Sequence, residues 1–345
     1  MRAGTAEQHG SVTDAAPFPV RVSYAADEPG SGPTARSLQR GALDQRLIRI
    51  LPGAYAEAPA SAALTPEQRH LLQIAAVLHR RADEPVLVGE SAALLLGLPT
   101  IRPLPGWVHV ASTARLPPAS NSGVRWFRGA IDPDQVIEVR GTRVIGLART
   151  AVDVARARSF PAAVAAIDVA LRSSVQAAPW RFVDGQVHPA PILRLGGASR
   201  DVMASIARQP IRGARIARAA VDFGDPDAGS AGESMSRAHI HRLGFPPPRL
   251  QRRFVDPDGS VAIVDFDWPE FGISGEFDGF VKYSQEEYLR GAVPADVVWR
   301  EKERERRLKR HHGREVARWV WKDLNDGAIG LRDELVAAGL PFRRE

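Results

Sequence analysis

The chain has 345 residues, enough for two or three domains, and no cysteine, so disulfide staples, thiolate zinc sites and cysteine nucleophiles are excluded. Its 46 Lys and Arg against 40 Asp and Glu leave a net charge of only +6, but unevenly placed: residues 296–322 alone hold ten cations and five acids, which suits an anionic partner. No apolar run approaches a membrane span, and the opening MRAGTAEQHGSVTDAAP has neither an apolar signal core nor an Arg-rich amphipathic pattern, so a cytoplasmic location is the expectation.

Residues 1–35 are rich in Gly, Ala, Ser, Pro and Asp around one short apolar patch at 18–24, and are expected to be poorly ordered. RSLQRGALDQRLIRILPGAY, at 36–55, reads as a basic amphipathic helix, a strand and a Pro52-Gly53 turn. Thr65 before Pro66-Glu67-Gln68 starts a helix continued by Leu71, Leu72, Ala75 and Leu78. A short buried strand at 86–88 and a helix at 90–96 follow, the helix stopping at Gly97-Leu98-Pro99. Ser91 invites a nucleophile reading. No histidine lies near it in sequence, so its place at the start of a helix predicts a capping role.

Short strands at 107–111, 124–128, 137–139 and 144–145 predict a small sheet, and 148–157 and 160–171 predict two helices. The irregular, Pro- and Gly-containing 173–198 reads as a linker or variable loop, and 200–220 as helical and basic. GDPDAG at 224–229 is an acidic hinge, which places a domain boundary near residue 225.

Beyond it come a helix over 232–243 stopped by Gly244, a strand over 250–255 and a turn at Asp256-Pro-Asp-Gly259. VAIVDFDW (261–268) and ISGEFD (273–278) then carry acids at strand spacing. Alternation puts Asp265 and Asp267 on one face of the first strand, and Ser274, Glu276 and Asp278 on one face of the second. Folded as a hairpin, Asp265 and Glu276 become neighbours, and paired carboxylates need a cation or a proton between them. Oxygen ligands of this kind suit Mg2+ or Mn2+. A loop or helix at 286–291, a charged helix at 297–311 and a strand at 316–321 complete a mixed sheet flanked by helices.

In the charged helix Arg300, Lys302, Arg304, Arg307 and Arg310 are candidate phosphate contacts, although the interleaved Glu301, Glu303 and Glu305 also fit a salt-bridged exposed helix. His311 and His312 point apart on a helix and are expected to be solvated, while Trp299, Trp319 and Trp321 either stack bases or fill a core.

Asp265, the eleven-residue step to Glu276, and Asp278-Gly279 with Lys282 resemble the active-site hairpin of the PD-(D/E)XK, or restriction-endonuclease-like, superfamily. The likeness is closer to proteins related to very-short-patch-repair endonucleases, whose second strand reads Glu-x-Asp-Gly and ends in a basic residue. It extends over roughly 232–324, where Glu233 resembles the acid of that family's entry helix. The resemblance implies that Asp265, Glu276 and Asp278 hold Mg2+ or Mn2+, that Glu233 completes the shell through water, and that Lys282 orients water or phosphate. The third catalytic position, usually Lys, is here Asp278, which is either an extra ligand or the mark of a site that kept its fold and lost its rate.

The 36–55 stretch and GESAALLLGLP at 89–99 resemble the AbiEi family of antitoxin-like regulators. The expected layout is therefore an α/β and α+β multidomain chain. It has a degenerate winged-helix remnant at 36–60, an AbiEi-like α+β domain at 61–224 and a nuclease-like domain at 225–345. Two functions follow as expectations: a metal-dependent DNA endonuclease or nickase in defence or repair, and a non-catalytic DNA-binding regulator with an inactive nuclease fold. A purely protein-interacting module is a third, weaker option.

Overall fold

The computed structural model describes residues 18–25, 32–80, 85–100, 104–111, 123–127, 131–279 and 294–342, with only the backbone described over 294–302. It is a mixed α/β chain with several sheets, whose contacts divide into two units, residues 1–150 with 174–196 and residues 151–173 with 197–345.

The first unit opens with β1 (Val22–Tyr24), α1 (Ala35–Leu43), β2 (Leu47–Leu51) and β3 (Ala54–Glu57). The strands form an antiparallel sheet in the order β1-β3-β2, closed by Gly53 at a positive φ of 78°. Phe18, Val20 and Val22 are buried, so the apolar patch expected in a poorly ordered stretch is part of a core; the rest of that expectation, 1–17 and 26–31, lies outside the described residues. After α2 (Ala58–Ala62), α3 (Pro66–His79) starts as its sequence predicts, with Thr65 and Gln68 satisfying each other's backbone N–H groups in a capping box.

β4 (Val86–Leu87), α4 (Gly89–Leu96), β5 (Val108–Ala111), β6 (Val124–Phe127), β7 (Val136–Val139) and β8 (Thr142–Ile145) come next, the strands making a five-stranded mixed sheet in the order β6-β5-β4-β8-β7. The segment read as a linker is folded. β9 (Ser174–Gln176) pairs with β12 (Arg194–Gly196), and β10 (Trp180–Val183) with β11 (Gln186–Pro189). Asp184 and Gly185, at φ 47° and 74°, turn the second pair. Consecutive positive φ values match the right-handed twist of a hairpin, which is why Asp-Gly suits a two-residue turn.

The boundary at residue 150 falls inside α5 (Leu147–Ala157), and the second unit continues with α6 (Phe160–Leu171), α7 (Arg200–Ala207), α8 (Ala214–Phe223) and α9 (Ala231–Arg242). The 200–220 stretch is helical as expected, in two helices separated at Pro210 and Gly213; Gly213 sits at φ 84°. The 224–229 hinge lies within this unit, since α6 and α8 pack together and α6 packs on α9.

β13 (Arg249–Val255), β14 (Val261–Trp268), β15 (Ile273–Asp278) and β16 (Glu315–Val320) form a four-stranded sheet in that order, antiparallel except for the parallel β15–β16 pair. Helix α10 (Pro294–His312) precedes β16 and α11 (Ile329–Ala337) follows it; the sequence reading did not anticipate α11. One core joins Ile240 of α9, Phe266 and Trp268 of β14, Trp319 of β16, and Leu331 and Leu335 of α11. Gly275 is required there, since an added Cβ would lie 2.6 Å from the Trp319 ring.

Candidate functional site

Ser230 caps α9, its Oγ accepting from the Glu233 N–H at 3.2 Å, while Glu233 Oε2 accepts the Gly229 N–H at 2.7 Å. These bonds alone account for an acid in the first turn, where the helix dipole also favours it. The same Glu233 oxygen accepts from Gln251 Nε2 at 2.8 Å, and that nitrogen lies 3.3 Å from Asp265 Oδ1. Gln251 is a non-glycine residue of β13 at φ 48°, a costly backbone state held where two carboxylates converge.

Asp265 Oδ2 accepts the Phe277 N–H at 2.8 Å. Burial first, and then the charges of Glu233 and Glu276, push the Asp265 carboxyl up to about 6, against the hydrogen bonds from Phe277 and Gln251. The crowding of acids expected from the sequence thus falls on Asp265.

The β14–β15 register pairs Phe266 with Gly275 and Asp267 with Ser274, and one further step sets Asp265 against Glu276. Glu276 engages two arginines, Arg304 of α10 at 2.7 Å and Arg318 of β16 at 3.1 Å. Arg318 is the register partner of Glu276 in the parallel pair, and it also bonds Glu305 at 2.6 Å. Asp267 is buried against Ser274 Oγ at 3.0 Å and Arg314 at 3.1 Å. Asp278 is exposed at the end of β15, and Lys282 lies outside the described residues.

Among the described residues no three acidic or histidine side chains are grouped as a metal site. The donor chemistry fits a divalent cation best between Glu233 and Asp265, two carboxylates that already converge on one hydrogen-bond donor. Glu276 is charge-compensated by its arginines.

The candidate phosphate contacts are dispersed. Arg304 also donates to the Ile263 carbonyl, and Arg307 reaches Asp256 at 3.3 Å and Ser260 Oγ at 2.6 Å. Arg310 is exposed with no ion pair among the described residues, and the side chains of Arg300 and Lys302 lie outside them. His312 is not a solvated residue: it bonds Asp256 at 2.8 Å and packs its ring 4.9 Å from Phe254. Trp319 is a core residue whose Nε1 donates to Ser236 Oγ at 2.8 Å, and Trp321 meets Phe277 edge-on.

Sequence reading missed three groups whose partners are distant in the chain. Gln251 and Arg318 are two of them. The third is Ser91, whose Oγ lies 2.9 Å from His70 Nε2 and accepts the His109 N–H at 2.9 Å. It sits in the first turn of α4 but caps nothing, since the N-cap is Val88. Gln73 Oε1 at 3.1 Å from Nδ1 places the proton of a neutral His70 ring on Nδ1, so Ser91 donates to Nε2. Burial lowers the His70 pKa to about 4, and with His70 2% and Ser91 0% exposed the pair is sealed from substrate.

Fold and site together define a mixed α/β multidomain chain with a convergent carboxylate pair in its second unit. Uncharacterized protein Rv2248 and uncharacterized protein MT2308, from two strains of Mycobacterium tuberculosis, are each 31% identical to it over 140 residues, 41% of this chain. The match spans 44% of each relative, less than half of its length. No protein-family model matches the chain, and no solved structure does.

Proposed function

We propose that the second unit is a restriction-endonuclease-like domain that hydrolyses phosphodiester bonds of DNA with Mg2+ or Mn2+, as an endonuclease or nickase in defence or repair. The observation that carries this reading is the meeting of Glu233 and Asp265 on Gln251, beside Glu276 on the adjoining strand. Glu233 and Asp265 would hold the ion, which when bound supplies an activated water and charge stabilisation at phosphorus. Asp265, raised to about 6, is the group able to take a proton near neutral pH before the ion binds. Arg304 and Arg318 bring to this strand end the cationic charge that Asp278 does not.

Glu276 held between two arginines favours a second reading, a DNA-binding regulator with an inactive nuclease fold. The helix α1 and hairpin β2–β3, read as a degenerate winged helix of the AbiEi-like kind, would then carry the function. Plasmid cleavage with Mg2+ or Mn2+, run beside thermal melting of wild type and Asp265→Ala, separates the two. Metal-dependent cleavage lost in Asp265→Ala supports the enzyme. Metal stabilisation without cleavage supports the regulator, and an identical metal response in both proteins removes the metal site altogether.

A further inference from the structure

Helix α8 and the turn before it carry a charged exposed surface that the site does not use. Arg208, Arg212, Arg215 and Arg218 are all exposed, and none forms an ion pair among the described residues. Arg215 and Arg218, three residues apart, share one side of the helix, with Arg212 in the turn that enters it, while Ala217, Ala220 and Val221 are buried on the other. Asp201 and Asp222 are exposed on the same two helices, yet neither pairs with these arginines.

Two costs accumulate here. Like charges three apart on a helix repel, and cations at a helix N-terminus oppose the dipole, with no acid in the first turn to offset them. Helix α10 is built differently, because its Arg304 and Arg307 are bound by Glu276 and Asp256.

The turn is also closely packed. A Cβ on Gly213 would lie 2.1 Å from the Arg156 carbonyl oxygen, and Arg156 itself bonds the Ile206 carbonyl at 2.5 Å. Arg200, the remaining arginine of the pair of helices, closes the far end of α8 by donating to the Val221 and Gly224 carbonyls. A row of guanidinium groups with no ion pair among the described residues suits a ligand whose charges are regularly spaced. Arg215 and Arg218 stand about 4.5 Å apart along the helix with Arg212 in the turn before them, and duplex DNA presents roughly one phosphate charge per 1.7 Å.

We propose that the α7–α8 turn and the outer face of α8 bind the phosphate backbone of duplex DNA without reading its sequence. Among the described residues none of these arginines bonds Glu233, Gln251 or Asp265, and the proposed binding does not depend on a metal there. The test is DNA affinity of the full chain as a function of salt. It compares wild type, the Arg212→Gln/Arg215→Gln/Arg218→Gln variant, and a charge-matched control with Arg181→Gln, Arg194→Gln and Arg332→Gln. Each phosphate contact adds about 0.9 to the slope of log K against log salt, so the α8 variant should lose about 2 to 3 units of slope and the control under one. An unchanged slope in the α8 variant, an equal loss in the control, or no DNA binding by wild type would each overturn the proposal. So would equal binding of poly-glutamate or of phosphatidylserine vesicles. The metal response of the α8 variant should equal that of wild type, so failure here leaves the nuclease reading to its own test.

Discussion

Arg237 of α9 grips Asp168 of α6 through both carboxylate oxygens, each 3.0 Å from Nη2, in a pocket where Asp168 is wholly buried. Arg237 also donates to the Phe223 carbonyl and stacks 4.1 Å from the Phe223 ring, while the Asp225 N–H donates to Asp168 at 2.7 Å. This fork fixes the helix that carries Glu233. Removing one partner of a buried pair leaves an uncompensated charge, so Asp168→Ala should destabilise the second unit by about 3–5 kcal/mol. Chemical denaturation gives the number, and a loss below about 1 kcal/mol would mean that α9 is held by packing alone.

The pH dependence of Asp265 has a definite sign. Below about 4 both folded and unfolded chains carry its proton, and between about 4 and 6 only the folded chain does, so this group's contribution to stability falls as pH rises through that window. Asp265→Asn should therefore stabilise the metal-free protein above pH 6 by about 1–2 kcal/mol, a figure reduced for partial solvent exposure, and leave it unchanged near pH 4. Melting curves at both pH values decide this.

Gly232 opens the first turn of α9 against Phe277, where an added Cβ would lie 1.9 Å from the ring. Gly232→Ala should push α9 off β15, cost about 1–3 kcal/mol, and weaken any metal response that depends on Glu233 and Asp265 together. A variant as stable and as metal-responsive as wild type would show that Phe277 yields easily.

Histidine burial acts in the opposite direction to Asp265. His70 and, in the other unit, His239 are each lowered to about 4, chiefly by desolvation. Between about 6.5 and 4 the unfolded chain takes up protons that the folded one refuses, so their contribution to stability is lost as pH falls through that range. Ser91→Ala leaves His70 Nε2 and the His109 N–H without their partner and should cost about 1–3 kcal/mol. A fluorophosphonate probe should leave Ser91 unlabelled in the native protein; labelling would reopen the nucleophile reading.

Local chemistry was legible wherever it acts within a few residues. Acids and apolar residues at strand spacing predicted β14 and β15 to the residue, and Thr65 with Gln68 predicted the start of α3. The hairpin at Asp184-Gly185 was equally local, but the prolines around it obscured its signal. The opposition of Asp265 and Glu276 also follows from strand period and turn length. What those acids touch does not. Glu276 finds Arg318 across 42 residues, Gln251 meets Glu233 across 18, and Asp168 meets Arg237 across 69. A strand's pattern follows from its own backbone period, but the partner of a charged side chain depends on which elements pack beside it. Tertiary packing alone therefore decided that Glu276 faces arginines, that Asp265 carries the raised pKa, and that the arginines of α8 have no acidic partner among the described residues.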